Sequence, residues 1–110
     1  MESFAQQLVD DFTIRLEELL GPRLKQLRLF GSRARGTEHR DSDVDLFVLV
    51  DHCDRDTRRR IIELAFDVTA DHGFRLFLSP LVMDEEHFAG LVARERRLAR
   101  DINEEGIPLR

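Results

Sequence analysis

The chain has 110 residues, of which 42% are hydrophobic and 35% charged, and a formal net charge of −5. This length fits one domain, 1–110, and the apolar fraction is that of a globular chain rather than a disordered one. No apolar run approaches the roughly 20 residues of a membrane span. Met1-Glu2-Ser3 lacks the basic and apolar blocks of a secretory signal. Cys53 is the only cysteine, which excludes an intramolecular disulfide and a cysteine-built metal cluster. A cytoplasmic protein is expected from these features. The acidic balance argues against direct nucleic-acid binding, where a basic face supplies most of the affinity. Lys25 is the sole lysine and stands outside any Gly-Lys-Ser/Thr context, so a P-loop is excluded.

In chain order, Ser3 to Leu20 reads as a helix. Phe4, Leu8, Phe12 (or Val9), Leu16 and Leu19 recur at three- and four-residue steps, Ser3 can cap the start, and Gly21-Pro22 ends it. Gln26 to Phe30 alternates like a strand, and a short helix is expected from Gly31-Ser32. Val44 to Val50 is almost wholly apolar, as in a central strand covered on both faces. Asp54 to Asp71 reads as a helix with Ile61, Ile62, Leu64, Ala65 and Val68 inward, closed by His72-Gly73. Phe74 to Met83 is expected as a third strand. Asp84 then caps a short helix carrying Phe88 and Leu91, and a polar helix runs to about Glu105 before Gly106-Ile107-Pro108. The order predicts an α/β fold, a small mixed three-stranded sheet flanked by helices. The apolar residues spaced along Ile102 to Leu109 read either as a docking element or as cover for the sheet.

The chemistry concentrates between Phe30 and Val50. Gly31 follows a strand and lets backbone approach a ligand closely, and Ser32 sets a hydroxyl beside the free N–H groups of a helix start. Together they suit a phosphate, with Arg33 and Arg35 able to add charge-assisted contacts. Taken alone, Gly31-Ser32 reads more readily as a plain strand-to-helix turn with Ser32 as cap. Asp43 and Asp45 stand two apart at a strand mouth, so their side chains share a face. Two neighbouring carboxylates repel, which is costly without a cation between them, and oxygen-only ligands suit Mg²⁺. Taken alone, this pair is equally a solvated turn with Asp45 paired to an arginine. Each specified residue type has a usage of about 5–7%, so the joint pattern is rare by chance.

Gly31-Ser32-x-Ala34-x-Gly36 followed by Ser42-Asp43-x-Asp45-Leu46 resembles the signature of the nucleotidyltransferase superfamily typified by DNA polymerase beta. It is most similar to the superfamily's small stand-alone branch, the minimal nucleotidyltransferases, and the element order with Ser79 to Val82 extends the likeness over most of the chain. The resemblance implies that Gly31, Ser32 and Arg33 bind the phosphates of ATP or another NTP. It implies that Asp43 and Asp45 are the catalytic acids and hold Mg²⁺, and that an acceptor hydroxyl attacks the α-phosphorus. It also implies a partner, an all-helical RNase toxin of the HEPN type, to which the chain is antitoxin by adding AMP or by binding alone. Transfer to a small molecule such as an antibiotic is a third reading. A homo-oligomer is compatible with the sequence.

The family carries a third carboxylate on the neighbouring strand. Here that strand offers Arg75, Phe77 and Ser79 on one face, or Leu76 and Leu78 on the other, and none is acidic. Asp71 and Asp84 only flank it, and Arg75 could pair with Asp45 in place of a cation. His39, His52, His72 and His87 are scattered and read as solvated or capping. Arg58-Arg59-Arg60 and the mixed charges of 94–101 read as solvated faces, and Cys53 as a loop thiol.

Overall fold

The computed structural model describes residues 3–31, 43–94, 100, 102 and 106–109. Helix α1 (Ser3–Leu20) buries Leu8, Val9, Phe12 and Leu16, the expected stripe. It closes on Leu20 rather than Leu19, because the chain turns at Gly21, in the left-handed region (φ +55°), into a short 3₁₀ turn (Gly21–Arg23) and points Leu19 outward. Strand β1 spans Leu24–Phe30 and starts two residues earlier than expected. Strand β2 is Val44–Val50, helix α2 Arg55–Asp71, strand β3 Leu78–Asp84 and helix α3 Glu85–Arg94. Asp54 caps α2 by accepting the Thr57 N–H at 2.8 Å, and Asp84 caps α3 by accepting the His87 N–H at 2.7 Å.

The sheet has four strands rather than three, in the order β3-β2-β1-β4. The added strand, β4 (Ile107–Pro108), pairs antiparallel with β1 through Arg28 and Leu29. Two residues carry no periodicity, so nothing in the local sequence marks this strand. β1 and β2 are antiparallel, while β2 and β3 are parallel and joined by α2. The third strand begins at Leu78, not Phe74. Residues 72–76 form turns and bends, and Phe74 takes a left-handed φ of +58° that no strand accepts.

Two cores sandwich the sheet. On one face, α1 and α2 press Leu8, Phe12, Leu16, Ile61, Ala65 and Val68 onto the inward residues of β1, β2 and β3. On the other, Phe47, Leu49 and Met83 meet Leu91 and Ile102, with the Phe88 ring 5.1 Å from that of Phe47. β2 is therefore covered on both faces, as its apolar run predicts. Ile102 is fully buried in the second core and Leu109 packs on the first, so these two cover the sheet, while Ile107 in β4 stays exposed. The polar helix expected to about Glu105 and the short helix expected after Gly31 fall largely outside the described residues.

Ile62, expected inward, is exposed, because α2 turns its Ile61-Ala65-Val68 stripe to the sheet. Arg59 and Arg60 pair with Asp56 and Glu63 on the solvated side. His72 follows α2 with its Nε2 3.0 Å from Asp11 Oδ2. Among the described residues, no helix is long and apolar enough to cross a membrane.

The facing of α2 is tested by two neighbours. Ile61→Ala is expected to cost about 2–5 kcal/mol, and Ile62→Ala less than about 0.5 kcal/mol, both read from urea unfolding. The caps set a pH dependence. The Thr57 N–H holds Asp54, and the His87 N–H holds Asp84, below the ordinary carboxylate value of 3.8. Each binds its proton less readily folded than unfolded. Their stabilisation is therefore complete above about pH 4 and is lost as pH falls through the depressed folded values. Asn also caps but does not titrate, so the fall in unfolding midpoint between neutral and acid pH is expected to shrink in Asp54→Asn/Asp84→Asn.

Candidate active site

The antiparallel ladder sets Phe30 opposite Asp45. The chain leaves β1 at Gly31 with φ +76°, a region that glycine enters without strain. A Cβ at Gly31 would strike Asp45 Oδ2 and lie 3.2 Å from its Cγ. The turn at 31 and the carboxylate at 45 thus touch, and glycine is required both for the turn and for the approach. Asp43 stands just before β2, exposed, two positions from the half-buried Asp45.

The parallel ladder sets Asp45 beside Ser79. One position before the Val44–Leu78 pair lie Asp43 and Phe77, and the Val44 N–H donates to the Phe77 carbonyl at 2.9 Å. Phe30, Asp45 and Ser79 therefore form one row across three strands on the α3 face of the sheet. α3 covers the rows beyond it, through Phe88 and Leu91 over Phe47, Leu49 and Met83. The row of Asp45 lies at the margin of that core: Phe30 packs against it half-buried, Asp45 is half-buried and Ser79 is exposed. Gly31, Asp43 and Asp45 lie at this end of the sheet, which α3 does not cover among the described residues.

Register decides which face of the third strand meets the acids. It is the Phe77–Ser79 face, since Leu76 and Leu78 are buried in the α1–α2 core. No acid from β3 stands on the row of Asp45. Asp84 pairs with Val50 at the opposite end of the ladder, and Asp71 is bound to Arg15 at 2.8 Å. Arg75 lies outside the strand, with its guanidinium 4.1 Å from the centroid of the Phe4 ring of α1. Ser32 and Arg33, with Arg35 and Ser42, lie outside the described residues.

The donor set can be tested against a metal. Among the described residues no group of three or more His, Cys, Asp or Glu side chains could hold one. Two carboxylates alone make no complete cage. They do suit a hard cation that shares its shell with phosphate oxygens and water, as Mg²⁺ does. An open groove of about 480 Å³ runs elsewhere, between α1 and α2, lined by Arg15, Glu18, Arg60 and Glu63. Its arginines are already paired with acids, so it reads as a solvated seam. Burial pushes the Cys53 thiol up, away from the reactive thiolate.

The helix-flanked mixed sheet has the fold of the nucleotidyltransferase class, as its similarity to solved structures shows. Residues 11–106 match the nucleotidyltransferase domain family, and the chain belongs to that family. Among solved structures it is similar to a chain of a toxin–antitoxin complex crystallised with AMP-PNP, at 27% identity and a TM-score of 0.58, over 92% of this chain and 72% of that one. It is likewise similar to a chain of a mutant MntA–HpeT toxin–antitoxin complex, at 26% identity and a TM-score of 0.56, over 92% and 71%. A chain of the MntA–HepT toxin–antitoxin complex shares the fold, at 24% identity and a TM-score of 0.51, over 94% and 71%. Comparison with curated protein sequences gives no match.

The contact between turn and carboxylate is open to a cycle. Gly31→Ala is expected to cost about 1–2 kcal/mol from its left-handed φ, plus the collision with Asp45. Gly31→Ala/Asp45→Gly is expected to regain the collision share and keep the φ share, measured by urea unfolding.

Proposed function

We propose that the chain transfers a nucleotide, AMP, from ATP and Mg²⁺ to a hydroxyl of a partner protein, and so acts as the antitoxin of a toxin–antitoxin pair. The observation that carries the reading is the contact of the Gly31 turn with Asp45, beside Asp43, in a nucleotidyltransferase domain. Asp43 and Asp45 hold the cation, and Gly31 with Ser32 and Arg33 holds the triphosphate. When bound, the cation neutralises charge that develops on the phosphates. The acceptor hydroxyl releases its proton to solvent as its oxygen bonds the α-phosphorus, the bond to the β-phosphate oxygen breaks, and pyrophosphate leaves. The AMP-PNP in a similar complex supports an adenine nucleotide, and the toxin–antitoxin assemblies support a protein partner, which by resemblance is a HEPN-type RNase.

A second reading has its own observation. Ser79 stands beside Asp45, so β3 offers no carboxylate to take the acceptor's proton. A chain that keeps nucleotide binding and neutralises its partner by binding alone fits that arrangement.

The two separate in one experiment, with ATP labelled at the α-phosphorus, Mg²⁺ and the product of the neighbouring gene. Transfer predicts label on the partner, lost in Asp43→Ala, and a rate raised roughly 10²-fold by Ser79→Asp, which adds a base beside Asp45. Binding alone predicts no label, and neutralisation that survives Asp43→Ala/Asp45→Ala. If AMP-PNP and Mg²⁺ bind Asp43→Asn as tightly as the unaltered chain, the metal role of the pair is lost.

A further inference from the structure

We propose that Phe66, Phe74 and Phe77 form an apolar ledge on which the partner protein docks by an apolar face of its own, setting its hydroxyl at Asp43. The inference rests on the transfer reading above and names the surface that selects the acceptor. The rings of Phe66 and Phe74 meet edge to face at 5.7 Å, and those of Phe74 and Phe77 are tilted at 6.2 Å. They remain 59%, 49% and 50% exposed, and Ile62, one turn before Phe66 on α2, adds to them at 50%. A contiguous exposed apolar patch of this kind is often functional.

Backbone geometry marks the same place. Among the described residues, Phe74 is the one non-glycine residue with a positive φ, at +58°. Its N–H donates to the Thr69 carbonyl at 3.0 Å, and the Gly73 N–H to that of Ala70 at 3.0 Å, so the turn is held. A bulky side chain is strained there, yet the strain sets the ring half in water rather than in a core. Placement supplies the link to the site. Phe77 begins the ledge one position before Leu78, where Asp43 lies one position before Val44 on the adjoining strand.

The rings offer no charge and no hydrogen-bonding group. A small cationic acceptor gains only a weak cation–π attraction at an exposed ring face, while apolar side chains around a protein hydroxyl can bury area on all three rings. Nucleobases could stack on such rings, but the net charge of −5 opposes their phosphates. The ledge exposes on the order of 300 Å², well below the roughly 800 Å² per partner of a stable dimer. It suits the anchor of a transient acceptor rather than a second copy of the chain.

The full chain has neither Trp nor Tyr, so the fluorescence of a tyrosine peptide reads binding on a dark background. The probes are an amphipathic helical peptide with one tyrosine on a leucine face, and the same peptide with glutamine for leucine. The leucine peptide is expected to bind at least about tenfold tighter than the glutamine one. It is expected to lose about tenfold in Phe66→Ser/Phe74→Gly/Phe77→Ser, while Val92→Ser, an exposed apolar control on α3, changes nothing. Glycine at 74 keeps the turn. Equal binding of the two peptides, full binding by the triple variant, tighter binding of oligo-dT, or a dimer that the triple variant dissolves would each overturn the ledge. Titration with AMP-PNP and Mg²⁺ is read separately. The triple variant is expected to match the unaltered chain, whereas no nucleotide binding by the unaltered chain defeats the transfer reading, whatever the peptides do.

Discussion

In the β1–β2 ladder Phe30 lies opposite Asp45, and the chain turns out of the sheet at Gly31 against the side of that carboxylate. Everything proposed for this domain uses that register. β2 is apolar at every position but 45, and both of its faces are buried beyond the Asp45 row. A slip of one residue would turn Asp45 toward the α1–α2 core, where taking a charge out of water costs several kcal/mol. The one charged residue of the strand thus fixes the register that places it near water and beside the turn.

The site also depends on an unequal covering of the sheet. α1 and α2 span one face, while the shorter α3 reaches only the rows of Phe47 and Leu49 on the other. Among the described residues, α3 leaves Asp45 and Ser79 at the margin of that core. Because β2 and β3 run parallel, their starts lie side by side, and the turn that ends the α2 crossover is delivered to the acids. An antiparallel third strand would have brought its far end there instead. The aromatic ledge and the acidic pair are neighbours for this topological reason.

The donor set gives the chemistry its character. In the proposed reading, Asp43 and Asp45 would supply part of a metal shell and leave the remainder to phosphate and water, while β3 sets Ser79 and no acid beside Asp45. Cation and nucleotide are then best bound together. In that reading acceptor activation would be the weak point, so positioning of the acceptor would gain importance, which is what the proposed docking surface would supply.

Much of this was legible in the sequence. The spacing of Leu8, Phe12 and Leu16 announced α1, the run from Val44 to Val50 announced the central strand, and Asp54 and Asp84 announced two caps, because each signal lies within one or two turns of chain. The motif residues Gly31, Asp43 and Asp45 were legible as residue types at a spacing, and the family match over 11–106 agrees with the resemblance they carry. Other features were not legible. Leu19 and Ile62 fit their stripes as well as Leu20 and Ile61 do, and only packing against the sheet chose between them. Phe74 to Phe77 alternates like a strand until the turn from Thr69 bends it into a left-handed φ. β4 exists only because β1 has a free edge for it. The contact of Gly31 with Asp45 and the pairing of Asp45 with Ser79 join residues 14 and 34 positions apart. Local propensity acts over a few residues, whereas register is settled by which side chains the assembled layers can bury.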